Sequence, residues 1–394
     1  MKKILIISDS FPNPPRNGME LPISKAVNFL NNKYQFDLLI VNFQEILILE
    51  KYRSSKNVSF NKIHFQKRKK VSFLKKVIDE FLLKRPFFSN LKVEKQNFNF
   101  EIYDFIWVSS TRNVGYIYLL KDFLNKTVLT INDSNYYTYY ERIKTLFNGK
   151  EKISINKIFN IIRLPFLILH EMKYLKMVSK IHVQTLLEKK RTVSLSINPK
   201  KIQVIQNGID NKLMSLKYEG NSKNILLMSH MTEGREFQTY WFLNKIWPKI
   251  LNFNNSTKLL IVGTMPKNIN SISKNYTNVI FKNYVNELSD AYKNVALSVI
   301  PHYQSSGFIN RLSDTISAGV PTIISRKISL TYPHFIHNKH GFVFDDSNEL
   351  INFINRALNN KKLRMQFSKN LSNLATEQPS WESYSKSINK LLLK

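Results

Sequence analysis

The sequence predicts two consecutive α/β domains, each a doubly wound parallel sheet, and three observations carry that prediction. Short all-apolar runs alternate with helical periodicity along the whole chain. The alternation falls into two sets that part near residue 210. The 394 residues also exceed what one core comfortably organises, at the usual ~100–200 residues per domain. Strand, loop, helix, strand is the signature of a parallel βαβ unit.

Taken in order, KILIIS (3–8) reads as a buried strand, SFPNPPRNGMELP as a loop, and the residues to about 32 as a helix. FDLLIVNF, FIWVSS and TVLTIND follow as strands, the last two ending in polar loops, where open α/β sheets place their ligands. IHVQT and IQVIQ close the first set. The second set opens with NILLMS and continues through KLLIVGT, NVIFKN, ALSVIPHY, PTIIS and GFVFD. The chain ends in helices, the last in TEQPSWESYSKSINKLLLK.

Composition narrows the function classes. A hydrophobic content of 43% with 12% aromatics is that of a globular chain. The net charge of +31 implies an anionic partner: nucleic acid, an acidic membrane surface or a phosphorylated substrate. With no cysteine there is no disulfide, thiolate metal site or cysteine nucleophile. The apolar run of MKKILIISDSFPNPP is too short for a signal-peptide core. No apolar stretch reaches the ~18 residues of a membrane span. A cytoplasmic protein is expected, lying on a membrane face.

Several residues are candidates for chemistry. Gly18 precedes a helix start, where backbone N–H groups could meet a phosphate, although neither G-x-G-x-x-G nor G-x-x-x-x-G-K-[ST] is present. Asn207-Gly208, ending VIQNGID, reads as a turn or as a loop at the join of the two sets, with Asp210 next. His170-Glu171 is a neighbour pair that a helix would point in different directions. No paired histidines stand at metal spacing and H-E-x-x-H is absent, so no metal is expected; G-x-S-x-G is absent too, which removes the commonest α/β-hydrolase reading. Asp345-Asp346 suits helix capping. In SSGFINRLSDTISAGVPTIIS (305–325), a helix over 308–318 puts Ile309, Leu312 and Ile316 on one face and Arg311 with Asp314 on another. Gly319 would end it. The basic segment 65–88 carries Lys67, Arg68, Lys69, Lys70, Lys75 and Lys76 above a stripe of Phe73, Leu74, Val77, Ile78, Phe81 and Leu82. That pattern fits an interfacial helix on anionic lipid or an ordinary surface helix.

The succession VIQNGID (204–210), NILLMSHMTEGREFQTYWFLNKIWPKI (224–250), KLLIVGTMPKNI (258–269) and the run 278–325 resembles the nucleotide-sugar domain of glycosyltransferase family 4, the glycosyl transferases group 1 set. The resemblance covers roughly residues 204–385. It implies the GT-B fold, two Rossmann-like domains facing a cleft: 1–205 for the acceptor, 206–375 for the nucleotide sugar, and 376–394 as a crossover helix on the first domain. Carried over by position, Arg311 takes the place of the family's phosphate-binding lysine and Asp314 that of its ribose-binding glutamate. Arg235 and His230 in SHMTEGRE stand where a second lysine and an arginine usually stand. Ser306 falls on the first acid of the family's E-x7-E pair. Gly307, Phe308, Ile309 and Asn310 would form the entry to the diphosphate-binding helix, and Gly18, Asn207 and Gly208 would complete the donor site. Asp133, at the end of TVLTIND, is the candidate acceptor base, a turn aspartate being the other reading.

The function implied is a retaining, metal-independent transfer of a sugar from a nucleoside-diphosphate donor, with no further cofactor. The acceptor would be a glycan or lipid-linked glycan of lipopolysaccharide or capsule type, at the inner face of the cytoplasmic membrane and without nucleic acid. The alternatives are a nucleotide-sugar epimerase of the same fold and a non-enzymatic basic binder of nucleic acid or membrane.

Overall fold

A computed structural model describes the chain except for residues 16–17, 43–59, 68–70, 87–97, 148–154, 232–236, 284, 286, 302–306 and 394. The side chains of residues 42, 142, 145–147, 155–157 and 230 also lie outside the description. Two compact units result. The first comprises Met1–Asn207, Gly307, Phe308 and the C-terminal helix; the second spans Gly208–Ser305 and Ile309–Ser380.

The first unit holds seven parallel strands in the order β3-β2-β1-β4-β5-β6-β7: β1 Lys2–Ser8, β2 Tyr34–Asn42, β3 Lys62–Lys67, β4 Phe105–Val108, β5 Thr127–Ile131, β6 Lys180–Val183 and β7 Ile202–Val204. The second holds six, β10-β9-β8-β11-β12-β13: β8 Ile225–His230, β9 Leu259–Thr264, β10 Val279–Lys282, β11 Leu297–Ile300, β12 Thr322–Ser325 and β13 Gly341–Phe344. Helices on both faces explain why the central strands read as unbroken apolar runs: Ile4 to Ile7 are all fully buried. Each sheet reverses its winding once, between β1 and β4 and between β8 and β11. The crevice beyond the strand ends at such a point is where doubly wound sheets take ligands.

The Trp381–Leu393 helix packs in the first unit against Glu20–Leu30, burying Trp381, Tyr384, Ile388, Leu391 and Leu392 among Ile23, Val27 and Leu30. The Tyr34 hydroxyl donates to Asn389 Oδ1 at 2.5 Å. Among the described residues no helix is long and apolar enough to cross a membrane.

Two expectations need correction. The segment 65–88 is not one helix. Its start is the end of β3, an edge strand paired with β2, and only Phe73–Phe81 is helical. Lys67 is thus a strand residue, Arg68, Lys69 and Lys70 lie outside the described residues, and only Lys75 and Lys76 stand on the helix. Nor does the Asn207-Gly208 pair make a turn: the chain leaves β7 at Val204 and runs without one to an isolated parallel bridge between Ile209 and Ser380.

Candidate functional site

In the second unit, the reversal point is occupied by the helix Asn310–Ser317, which follows β11. Its period buries Leu312 and Ile316 completely and leaves Arg311 and Asp314 on another face. Gly319, at φ 62, ends it as the sequence requires, since a left-handed residue at that place is cheap only for glycine. No side chain caps its start at Ile309. Arg311 Nη1 donates to the carbonyl oxygen of Met228, near the end of β8, at 2.9 Å. The guanidinium is thereby anchored at the reversal point. Close approach of the strands there needs Gly263, which pairs with Ser229: a Cβ at that position would overlap the Ser229 carbonyl oxygen.

Asp314 reaches the surface with part of the residue, but its carboxyl lies deep. Burial first, then the charge of Asp210, push its pKa up to about 7 against the opposing pull of Arg311. Asp210 itself caps the short helix Asn211–Met214, accepting from Lys212 N–H at 2.9 Å. Beside them the buried Tyr292 hydroxyl lies 3.1 Å from Met228 Sδ and 3.3 Å from Thr315 Oγ1. Thr315 Oγ1 in turn donates to the Arg311 carbonyl at 2.7 Å. One guanidinium, two carboxylates and a phenol thus share one end of the second sheet.

The Asp314 environment has a pH signature. The folded protein keeps a proton there that the unfolded chain releases near pH 4, so this group's contribution is fully present below about pH 4 and is lost as pH rises through about 7. Asp314→Asn removes the loss. In the nucleotide-free protein it should raise Tm at pH 8 and leave it unchanged near pH 3. An equal shift at both pH values would show that the carboxyl does not titrate as described.

The first unit presents a second polar group at the ends of β4, β5 and β6. Asn132 Nδ2 donates to the Ser109 carbonyl at 3.2 Å, and Gln184 Nε2 to Asn132 Oδ1 at 3.4 Å. Exposed Asp133 stands between Asn132 and Ser134. Gly307, at φ 74, passes over this loop so closely that a Cβ would overlap the Asn132 carbonyl and the Asp133 carboxylate. The Gly307 N–H donates to Glu188 Oε1 at 3.3 Å.

Two carboxylates that the sequence reading left out hold this loop. Glu188 Oε2 accepts from Ser134 N–H at 3.2 Å, and Glu188 pairs with Arg191, whose guanidinium lies 3.3 Å over the Tyr137 ring. Glu171 accepts from Ser134 Oγ at 3.1 Å and Tyr136 N–H at 2.9 Å. These are the first residues of the helix Asn135–Phe147 and the residue just before it, where unpaired N–H groups favour a carboxylate. Burial is the main cause that pushes Glu171 up to about 7. The only sequence signal was the His170-Glu171 pair, which does point two ways: His170 Nε2 lies 3.0 Å from the Glu80 carbonyl, away from Ser134.

Of the remaining expected residues, Gly18 is exposed in a turn just before Glu20–Leu30, buried Asn207 stands in the first unit, and buried Gly208 opens the second. Phe308, Ile309 and Asn310 lead into the Arg311 helix. His230 ends β8, its side chain outside the description; Arg235 and Ser306 lie outside the described residues. Among the described residues no group of three His, Asp or Glu side chains could hold a metal ion.

Residues 222–360, within the second unit, match the family model described as Glycosyl transferases group 1. No curated protein sequence matches the chain. Solved structures share the fold over the whole length. Anabaena HepE in complex with UDP and glucose is 12% identical with TM-score 0.68, all of both chains being covered. Sucrose-phosphate synthase from Thermosynechococcus elongatus is 14% identical with TM-score 0.71, covering 99% of this chain and 98% of that one. WaaG, a glycosyltransferase involved in lipopolysaccharide biosynthesis, is 15% identical with TM-score 0.62 and covers 99% of both. The architecture of two parallel sheets with flanking helices is the GT-B fold.

Proposed function

We propose that this protein is a retaining glycosyltransferase that moves a sugar from a nucleoside-diphosphate donor onto a growing cell-surface glycan of lipopolysaccharide or capsule type. It works at the inner face of the cytoplasmic membrane, without a metal or other cofactor. The observation that carries the reading is the anchoring of Arg311 on the Met228 carbonyl beside Asp314, at the winding reversal of the unit that matches the group 1 family. As the glycosidic bond breaks, the diphosphate gains negative charge. A fixed guanidinium stabilises that charge with little reorganisation, and Arg can hold phosphate through two parallel hydrogen bonds. Arg235 and the backbone at Gly307–Asn310 add donors. Asp314 accepts from the ribose hydroxyls, and protonation near pH 7 lets it donate as well. Gly18, Asn207, Gly208, His230 and Ser306 complete the donor contacts. On the first unit, Asp133 is the acceptor-side base, and Glu171 and Glu188 fix its loop. The complexes of HepE with UDP and UDP-glucose support a uridine nucleotide as the first candidate.

The test is a thermal-shift panel of UDP, GDP, CDP, ADP and dTDP. A ligand at a hundred times its Kd stabilises the native state by about 2.7 kcal/mol. UDP should raise Tm and the other diphosphates should not. If no nucleotide raises Tm, the donor site is wrong and the transferase reading falls with it.

A further inference from the structure

The Phe73–Phe81 helix is inverted relative to an ordinary surface helix, which buries its apolar stripe and exposes its charges. Its acids are inside: Glu80 is fully buried and bidentate with Arg163, and buried Asp79 accepts from Lys75 Nζ at 3.2 Å. One stripe of its apolar side chains is outside, while Val77 and Phe81 are half-buried. Leu74 is 73% exposed, Ile78 53% and, just past the helix end, Leu82 59%; their four-residue spacing forms one stripe. Phe73 is likewise exposed.

The helix lies along Ile155–Met177, with ring pairs Phe73–Phe159 and Phe81–Phe166 at 5.6 and 4.3 Å and Lys173 Nζ donating to the Leu83 carbonyl at 2.9 Å. On this second helix Ile158, Ile162 and Leu169 are exposed too. Helical spacing puts them on the flank next to the line Phe159, Arg163, Phe166 that meets the first helix. Single exposed leucines need no explanation, whereas a clustered apolar surface on adjacent helices marks an interaction site.

Charge identifies the partner. With Asp79 and Glu80 turned inward, the outward charges of the Phe73–Phe81 helix and its exit are lysines: Lys75, Lys84 and, partly buried, Lys76. An apolar stripe flanked, among the described residues of this helix and its exit, by cations, on a chain of net charge +31, complements an anionic lipid surface. We propose that these two helices dock the protein on an anionic phospholipid bilayer, with Leu74, Ile78 and Leu82 entering the boundary between headgroups and acyl chains. Among the described cations of 67–76, Lys75 and Lys76 flank this stripe, whereas Lys67 belongs to the edge strand β3. It also does not rest on the transferase reading, because binding is measured without nucleotide.

The experiment is co-sedimentation of the nucleotide-free full chain with vesicles of phosphatidylcholine alone or mixed with phosphatidylglycerol. Wild type should bind the mixed vesicles at least ~10-fold more strongly than the neutral ones. The triple variant Leu74→Ser/Ile78→Ser/Leu82→Ser changes exposed positions only and should fold. It should lose binding by at least about a hundredfold, given the transfer free energy of three large aliphatic side chains. Leu330→Ser, an equally exposed leucine of the second unit, should bind as wild type. Binding by the triple variant at the wild-type level would overturn the proposal, as would no vesicle binding by wild type. Wild-type dimerisation in sedimentation velocity that the triple variant abolishes would assign the face to a second copy and overturn it equally. Because the chain has no cysteine, Ile78→Cys carrying an environment-sensitive fluorophore reports the depth directly: a blue shift on mixed vesicles is expected, and an unchanged spectrum with vesicles bound would refute insertion of this face.

Discussion

Arg311→Ala is expected to cut kcat/KM by about 10²–10³-fold, the usual cost of removing one preorganised donor from a developing charge, and to abolish the nucleotide-induced rise in Tm. The guanidinium is positioned at both ends. Its helix is fixed by fully buried Leu312 and Ile316, and its Nη1 is fixed by the Met228 carbonyl. On the proposed reading the orientation exists before the donor arrives, and little ordering entropy remains to be lost on binding. Arg311→Lys keeps the charge and loses the planar fork, so it should fall between the two. Removing the guanidinium also removes the influence that lowers the Asp314 pKa, so in the alanine variant the carboxyl should stay protonated to higher pH. The readouts are steady-state kinetics and thermal shift on the same preparations. An alanine variant within threefold of wild type in both would take Arg311 out of the donor site.

Arg163→Met should destabilise the first unit by about 3–5 kcal/mol, the cost of leaving a buried charge without its partner. Glu80 is fully buried and Arg163 nearly so. The guanidinium also lies over the rings of Tyr139 and Phe159, at 5.3 and 5.2 Å, so its loss removes stacking as well as charge. At roughly 2–4 °C per kcal/mol for a unit of this size, Tm should drop by about 10 °C. The double variant Arg163→Met/Glu80→Met should recover most of that, because a buried ion pair replaced by apolar side chains is often neutral. Chemical denaturation of the four proteins of the cycle measures the coupling. If the two single losses merely add in the double variant, the pair is not the element that holds the helix with its acids inward.

Much of this molecule was legible along the chain. Every apolar run read as a strand is one, and Gly319 and Asp346 terminate and start helices where their chemistry says they should. Arg311 and Asp314 share a helix face because a period of 3.6 residues leaves no alternative. Such features depend on neighbours within about ten residues. β3 escaped because KIHFQK lies on the sheet edge, half-exposed, where no unbroken apolar run is required.

What the sequence by itself determined, then, is the two sheets, every strand except β3, and the side-chain pattern of the Arg311 helix. Only the tertiary structure decided which face turns inward and which distant groups meet. The period over 73–82 sets apolar and acidic residues on different faces, but Arg163, far along the chain, provides the buried countercharge that draws Glu80 in and leaves Leu74 and Ile78 out. Glu171 and Glu188 converge on Ser134 from separate helices, and Asp210 reaches Asp314 from before the first strand of the second sheet. Periodicity is a property of one segment; burial and pKa belong to the groups that folding brings together, and no local spacing encodes them.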